Sequence, residues 1–168
     1  MVNTISLIGM PGAGKSTVGV LLAKQLGLNF VDTDLLIQVR HGQTLQEILD
    51  AHDYLHLREL EEEILLDTNF DHSLVATGGS VVYSDAAMQK LAGAGPVVFI
   101  DVALSEILKR VHNEGQRGIA RPPQFSLQDL YAERQPLYQH WANYTVPEAD
   151  QSSADACADG ISKWLQGH

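Results

Sequence analysis

Residues 9–16 read Gly-Met-Pro-Gly-Ala-Gly-Lys-Ser, and Thr17 follows. The spacing G-x-x-x-x-G-K-[ST] is that of a loop that wraps nucleotide phosphates. Gly9, Gly12 and Gly14 let backbone N–H groups approach phosphate oxygens with no side chain in the way. The expected phosphate-binding segment therefore runs through Gly12, Ala13, Gly14, Lys15, Ser16 and Thr17. Lys15 brings a positive charge to the β- and γ-phosphates, and the Ser16 hydroxyl can hold Mg²⁺. A helix starting near Lys15 turns its positive dipole end toward the same anion.

A second cluster follows at Phe30-Val31-Asp32-Thr33-Asp34. Two carboxylates at i and i+2 leave the C-terminal edge of a strand, where ligands of open α/β sheets bind. One of them could serve Mg²⁺, directly or through water, while the other could take a proton from a substrate hydroxyl. A plain polar turn is the alternative, since Asp is common at strand ends.

The elements that must position these groups alternate between strand-like and helical patterns, which predicts an α/β fold with a parallel sheet. Strands are expected at Val2–Ile8, Asn29–Asp32, Leu74–Ala76, Val97–Asp101 and Tyr144–Val146. Helices are expected near 15–26, 34–40, 44–50, 55–67, 84–92, 104–113, 126–141 and 154–166. Ser84 and Ser153 read as helix caps, because a short hydroxyl side chain can bond free N–H groups. The helix over 55–67 carries Glu59, Glu61, Glu62 and Glu63, most of which read as a solvated acidic face. Residues 33–67 form a mostly helical excursion. Residues 112–124 contain Gly115, Gly118, Pro122 and Pro123 with little periodicity, the pattern of a functional lid.

The chain has 168 residues, 45% of them hydrophobic, which suits one compact domain with a sizeable core. Its formal net charge of −10 argues against a nucleic-acid binder, which would show a basic stripe. With only 11 Lys and Arg, each basic residue near a motif carries weight. No apolar run is long enough to span a membrane, and the N-terminus shows no charged-then-apolar signal segment. The single cysteine, Cys157, rules out an intramolecular disulfide and a cysteine-based zinc site, and is expected to pack as a small hydrophobe. Together these features predict a cytoplasmic protein.

The ordered motifs resemble those of the shikimate kinase family of small P-loop kinases, over nearly the whole chain. The resemblance rests on Gly9–Ser16, Asp32-Thr33-Asp34, Leu57-Arg58-Glu59-Leu60-Glu61, Thr77-Gly78-Gly79, Arg121-Pro122 and Arg134-Gln135-Pro136-Leu137-Tyr138. It implies a P-loop three-layer sandwich in a single domain, with a five-stranded parallel sheet in the order 2-3-1-4-5. The core would comprise 1–32 and 68–168, with an acceptor-binding region at 33–67 and a lid at 112–124. The implied reaction is phosphoryl transfer from ATP to shikimate by a monomeric enzyme with Mg²⁺. Lys15 would contact the β- and γ-phosphates, Ser16 and Asp32 would serve Mg²⁺, and Asp34 would be the base. Arg58 and Arg134 would hold the acceptor carboxylate, with a backbone N–H of Gly78-Gly79 helping. Arg121 would reach the transferring phosphate from the lid. Arg110 would flank the adenine, with Asp150-Gln151-Ser152-Ser153 around its other edge.

The residue types suit those roles. A guanidinium matches a planar carboxylate with two parallel hydrogen bonds. Phosphoryl transfer needs positive charge over the γ-phosphate, an aligned hydroxyl and exclusion of water. Alternatives remain open at this point. Arg58 could pair with Glu61 or Glu62 on the surface. Arg117 shares its loop with Arg121. The family pattern also changes on the acceptor side: Ser80 replaces a third glycine, Asp53-Tyr54 replaces a Gly-Glu pair, Leu57 replaces a Phe, and Pro123 follows Pro122. Serine at 80 would be strained if that position needed positive φ. These changes leave room for another small hydroxy acid, such as a sugar acid, as acceptor. A non-catalytic nucleotide-binding regulator is the third reading, which intact Lys15, Ser16, Asp32 and Asp34 oppose.

Overall fold

The computed structural model describes residues 3–113 and 118–167. Arg117 and Gly115 therefore lie outside the described residues. Five strands, β1 (Thr4–Ile8), β2 (Asn29–Asp32), β3 (Ser73–Ala76), β4 (Val97–Phe99) and β5 (Tyr144–Thr145), form one sheet in the order β2-β3-β1-β4-β5. Every pairing is parallel. The central β1 is buried along its whole length, as a parallel strand covered on both faces must be. On one face α1 (Lys15–Leu26) packs against α8 (Ala154–Gln166); on the other lie α5 (Asp85–Ala94) and α7 (Leu127–Trp141).

Gly19 explains how closely α1 sits on the sheet. A Cβ there would come within 2.7 Å of the Phe30 ring and 2.9 Å of Leu74. The same helix begins at the phosphate loop, so this close packing fixes where the loop lies. Between β2 and β3 run α2 (Thr33–His41), α3 (Leu45–Ala51) and α4 (Tyr54–Asp67). Asp32 ends β2 and caps α2, its Oδ1 accepting from the Asp34 and Leu35 N–H groups at 3.0 and 3.2 Å. A strand end and a helix start thus share one aspartate, and this places Asp34 in the first turn of α2 beside the sheet edge.

The expected elements are present with ends that agree to within two residues, and Val2, the expected start of β1, lies outside the described residues. Ser84 and Ser153 cap α5 and α8, accepting from the Ala87 and Ala156 N–H groups. Two short 3-10 segments, Val81–Tyr83 and Glu148–Gln151, were not foreseen, because single turns carry no periodicity to read. After β4 comes α6 (Leu104–Asn113), so the first two residues of the expected irregular segment 112–124 are helical. Helix α7 continues through Pro136.

Candidate active site

The phosphate loop turns through left-handed backbone at Gly12 (φ 81°) and Gly14 (φ 92°), a region that L side chains rarely adopt. Gly14 is also the residue before α1, so the loop ends on a helix N-terminus. Lys15 is buried, and its Nζ donates to the Gly9 and Met10 carbonyl oxygens at 2.8 Å each. These bonds hold the ammonium against the loop, on the side that a phosphate would face. Ser16 Oγ donates to Asp32 Oδ2 at 2.5 Å. Two hard oxygens, one charged, therefore meet beside the loop, the donor type that Mg²⁺ takes. Arg110 Nη1 donates to the Gly12 carbonyl oxygen at 3.2 Å, and its Nε pairs with Glu106 at 3.0 Å.

A cavity of about 760 Å³ extends from this loop, a size within the range for small-molecule sites. Its nucleotide end is lined by Gly12, Ala13, Gly14, Lys15, Ser16, Thr17, Arg110 and Gln151–Ala154, with Ser152 among them. Gln151 Nε2 anchors this last segment by donating to the Asp101 and Val146 carbonyl oxygens, both at 2.9 Å. Cys157 also lines this end, and burial pushes its thiol up to about 11, in keeping with an inert packing role.

The other end is lined by Asp34, Glu61, Gly79, Ser80 and Arg134. The Thr77-Gly78-Gly79 turn after β3 is the hub. A Cβ on Gly78 would collide with Glu61 Oε1 and lie 2.8 Å from Asp34 Oδ1. A Cβ on Gly79 would lie 2.7 Å from Arg134 Nη1 and 2.9 Å from Pro11. Glycine at both positions is what lets two carboxylates and a guanidinium crowd one turn. Arg134 is 1% exposed. Its Nη2 donates to the Ala120 carbonyl oxygen at 2.9 Å, while its Nε has no hydrogen-bond partner. Burial opposes its charge, but Tyr138, Tyr83 and Glu61 more than offset this and its pKa is raised. The Tyr138 hydroxyl donates to the Gly79 carbonyl oxygen at 2.5 Å, and burial pushes its pKa up to about 12, so it keeps that proton.

Glu61 stands apart from the other glutamates of α4. Glu59, Glu62 and Glu63 are exposed as expected, but Glu61 is buried. Burial first, then Asp34, push its pKa up to about 8 against the pull of Arg134, Arg58 and Lys15. A carboxyl whose pKa rises on folding stabilises the fold while protonated, below its unfolded value, and loses this as pH rises through the folded value. Glu61→Gln removes the titration. In thermal melts of the ligand-free protein, the melting temperature of the native chain should fall relative to Glu61→Gln between pH 5 and 9. A constant difference across that range would show that Glu61 is not buried as a neutral acid.

Four further residues of the motifs have these surroundings. Arg58 makes no salt bridge with Glu61 or Glu62, although its charge pulls the Glu61 pKa down; it lies against the rings of Tyr54 and Tyr83. The Gly78 N–H donates to Thr33 Oγ1 at 3.0 Å, so that donor is already engaged. Arg121 is exposed and does not line the cavity, although Gly118, Ile119 and Ala120 of the same segment do. Ser80 sits at φ −92° and ψ 3°, so the serine carries no left-handed strain.

A phosphate loop, a carboxylate poised beside it and a basic pocket in one cavity define a P-loop kinase acting on a small molecule. The model of the family described as shikimate kinase matches residues 11–166. The shikimate kinase of Paracidovorax citrulli is 36% identical over 168 residues, covering 97% of this chain and 92% of that protein. That of Vibrio campbellii is 37% identical over 167 residues, covering 98% and 96%. Among solved structures, shikimate kinase from Acinetobacter baumannii in complex with shikimate superposes with a TM-score of 0.88 at 30% identity, covering 99% of this chain and 94% of that one. Shikimate kinase from Aquifex aeolicus gives 0.82 at 29% identity, covering 98% and 96%. The chain belongs to the shikimate kinase family.

Proposed function

We propose that this protein transfers the γ-phosphoryl group of ATP to a hydroxyl of shikimate, giving shikimate 3-phosphate and ADP. The observation that carries this reading is one cavity in which the phosphate loop faces a pocket holding Asp34, Glu61 and Arg134 around a glycine turn. The acceptor carboxylate binds Arg134, whose buried Nε has no hydrogen-bond partner, and Arg58, whose buried Nε and Nη2 have none. With the Gly78 N–H committed to Thr33, the turn's donor to the acceptor is Gly79.

Two carboxyls stand near the acceptor, and their environments divide the roles. Glu61, held neutral by burial, is a poor proton acceptor near neutral pH. Asp34, in the first turn of α2 where the helix dipole favours negative charge, is the base. As the acceptor oxygen bonds to the γ-phosphorus, its proton passes to Asp34 and the bond to ADP breaks. Lys15 leaves the Gly9 and Met10 carbonyls for the β- and γ-phosphates. Ser16 and Asp32 would hold Mg²⁺, which when bound offsets charge on those phosphates. Residues 33–67 act as the acceptor-binding region and 112–124 as the lid, from which Arg121 turns inward on closure to meet the transferring phosphate. Arg110 and Ser152 flank the adenine.

The enzyme acts as a monomer in this reading. Among the described residues no helix is long and apolar enough to cross a membrane. We place the enzyme in the cytoplasm, where ATP is supplied. The test is steady-state ADP release from purified protein with MgATP, with and without shikimate, beside gluconate and quinate. Stimulation by shikimate alone is expected. Stimulation by gluconate or quinate, and none by shikimate, would move the acceptor to another hydroxy acid.

A further inference from the structure

Arg58 is held in an unusual way for a half-buried cation. Among the described residues it enters no ion pair. Its Nε and Nη2 are buried and make no hydrogen bond. Besides the electrostatic pull of Glu61, which burial holds largely neutral, its contacts are aromatic. The guanidinium carbon lies 3.8 Å from the centroid of the Tyr83 ring and 4.9 Å from that of Tyr54.

Each ring is itself fixed. Tyr54 is the first residue of α4, and Arg58 follows at i+4, so both share one helix face. Tyr83 ends the 3-10 turn after Ser80, and its hydroxyl donates to Glu133 Oε1 at 2.5 Å. Glu133 immediately precedes Arg134 in α7, and the Arg134 guanidinium carbon lies 5.4 Å from the same Tyr83 ring. One tyrosine thus borders both Arg58 and Arg134 and is anchored to the helix carrying the second.

Aromatic and acidic partners do different things to an arginine. A carboxylate would occupy N–H donors and cancel the charge. A ring attracts the cation through its π face and leaves the N–H edge for another ligand. We propose that Tyr54 and Tyr83 are positioning residues that clamp Arg58 by its faces and present its donor edge to the acceptor carboxylate. The clamp rests on the assignment of Arg58 to that carboxylate under the proposed function. It also gives Tyr54 a role: a glutamate at this position, as in the family pattern, would stand at i−4 to Arg58 and compete for its donors.

The test is steady-state kinetics with MgATP and shikimate on Tyr54→Leu, Tyr54→Phe, Tyr83→Leu and Arg58→Ala. Loss of one cation–π contact should raise the acceptor KM about fivefold in Tyr54→Leu, with kcat, the ATP KM and the melting temperature held. Tyr54→Phe keeps the ring and should stay within about twofold of the native value. In the double variant Tyr54→Leu with Arg58→Ala, no loss beyond Arg58→Ala is expected. An unchanged acceptor KM in Tyr54→Leu, with a raised one in Arg58→Ala, overturns the clamp and leaves the proposed function standing. An unchanged KM in Arg58→Ala overturns the assignment of Arg58 as well. If Tyr83→Leu does not fold, the Tyr54 pair decides, because Tyr54 lies at a helix start and is only half-buried.

Discussion

Asp34→Asn lowers kcat for the acceptor by about 100- to 10,000-fold, the range for removing a general base, while ATP binding stays near its native value. Glu61→Gln, one helix away in the same cluster, leaves kcat within about threefold at neutral pH. The contrast follows from what each carboxyl is at pH 7. Glu61 has been pushed up to about 8, so glutamine replaces a group that is already largely neutral and nearly isosteric. Asparagine at 34 would remove a carboxylate, and the neutral carbonyl and hydroxyl oxygens around it are far too weakly basic to take its place. The Gly79 carbonyl is taken by Tyr138, and Thr33 Oγ1 by the Gly78 N–H. Single-turnover phosphate transfer separates chemistry from product release, and calorimetry with ADP measures nucleotide binding. Equal losses in both variants would mean that the two carboxyls act as one coupled unit. A large loss in Glu61→Gln alone would exchange their roles.

The nucleotide half of this site was legible in the sequence because it is a contiguous motif. Gly9–Ser16 fixes its own backbone, and the strand and helix around it follow from local patterns. Asp32 and Asp34 were legible less directly: two acids at a strand end also suit a plain polar turn, and it is their place at the ligand-binding edge of the sheet, beside the loop, that gives them weight. Glu61 was not. Four glutamates crowd α4, and by composition they look alike. Its signal lay in periodicity: Leu57, Leu60, Ile64 and Leu65 form the buried stripe, and position 61 falls within it. A carboxyl on an apolar stripe indicates a buried polar cluster, but which groups meet it depends on the chain returning from β3 and α7. The partners of Arg58 were hidden by a similar ambiguity. Spacing offered Tyr54 at i−4 and Glu62 at i+4 equally, and packing by Tyr83, 25 positions along the chain, decides between them. The harmlessness of Ser80 could not be read either, because it depends on a φ angle that no neighbour dictates.

The second large effect falls on Arg134. Arg134→Lys should raise the acceptor KM by about 10- to 150-fold, the loss expected for one or more hydrogen bonds to a charged group, with the ATP KM changed little. Charge alone does not explain why arginine is needed. The guanidinium spans three features at once: Nη2 holds the Ala120 carbonyl, Nη1 lies against Gly79, and the buried Nε is left for a ligand. A lysine ammonium is a single point on a flexible stem and can meet only one of these. If it takes Ala120 the acceptor loses its partner, and if it takes the acceptor the segment beside the cavity loses its tether. Arg134→Met goes further, because it also removes a cation that opposes protonation of Glu61. The Glu61 pKa should then rise above its native value, and the stability difference from the matching Glu61→Gln double variant should keep falling to a higher pH before it levels off. Kinetics on Arg134→Lys and melts of Arg134→Met across pH read these effects separately. A native acceptor KM in Arg134→Lys would reduce Arg134 to a structural cation and leave Arg58 as the carboxylate's only guanidinium partner.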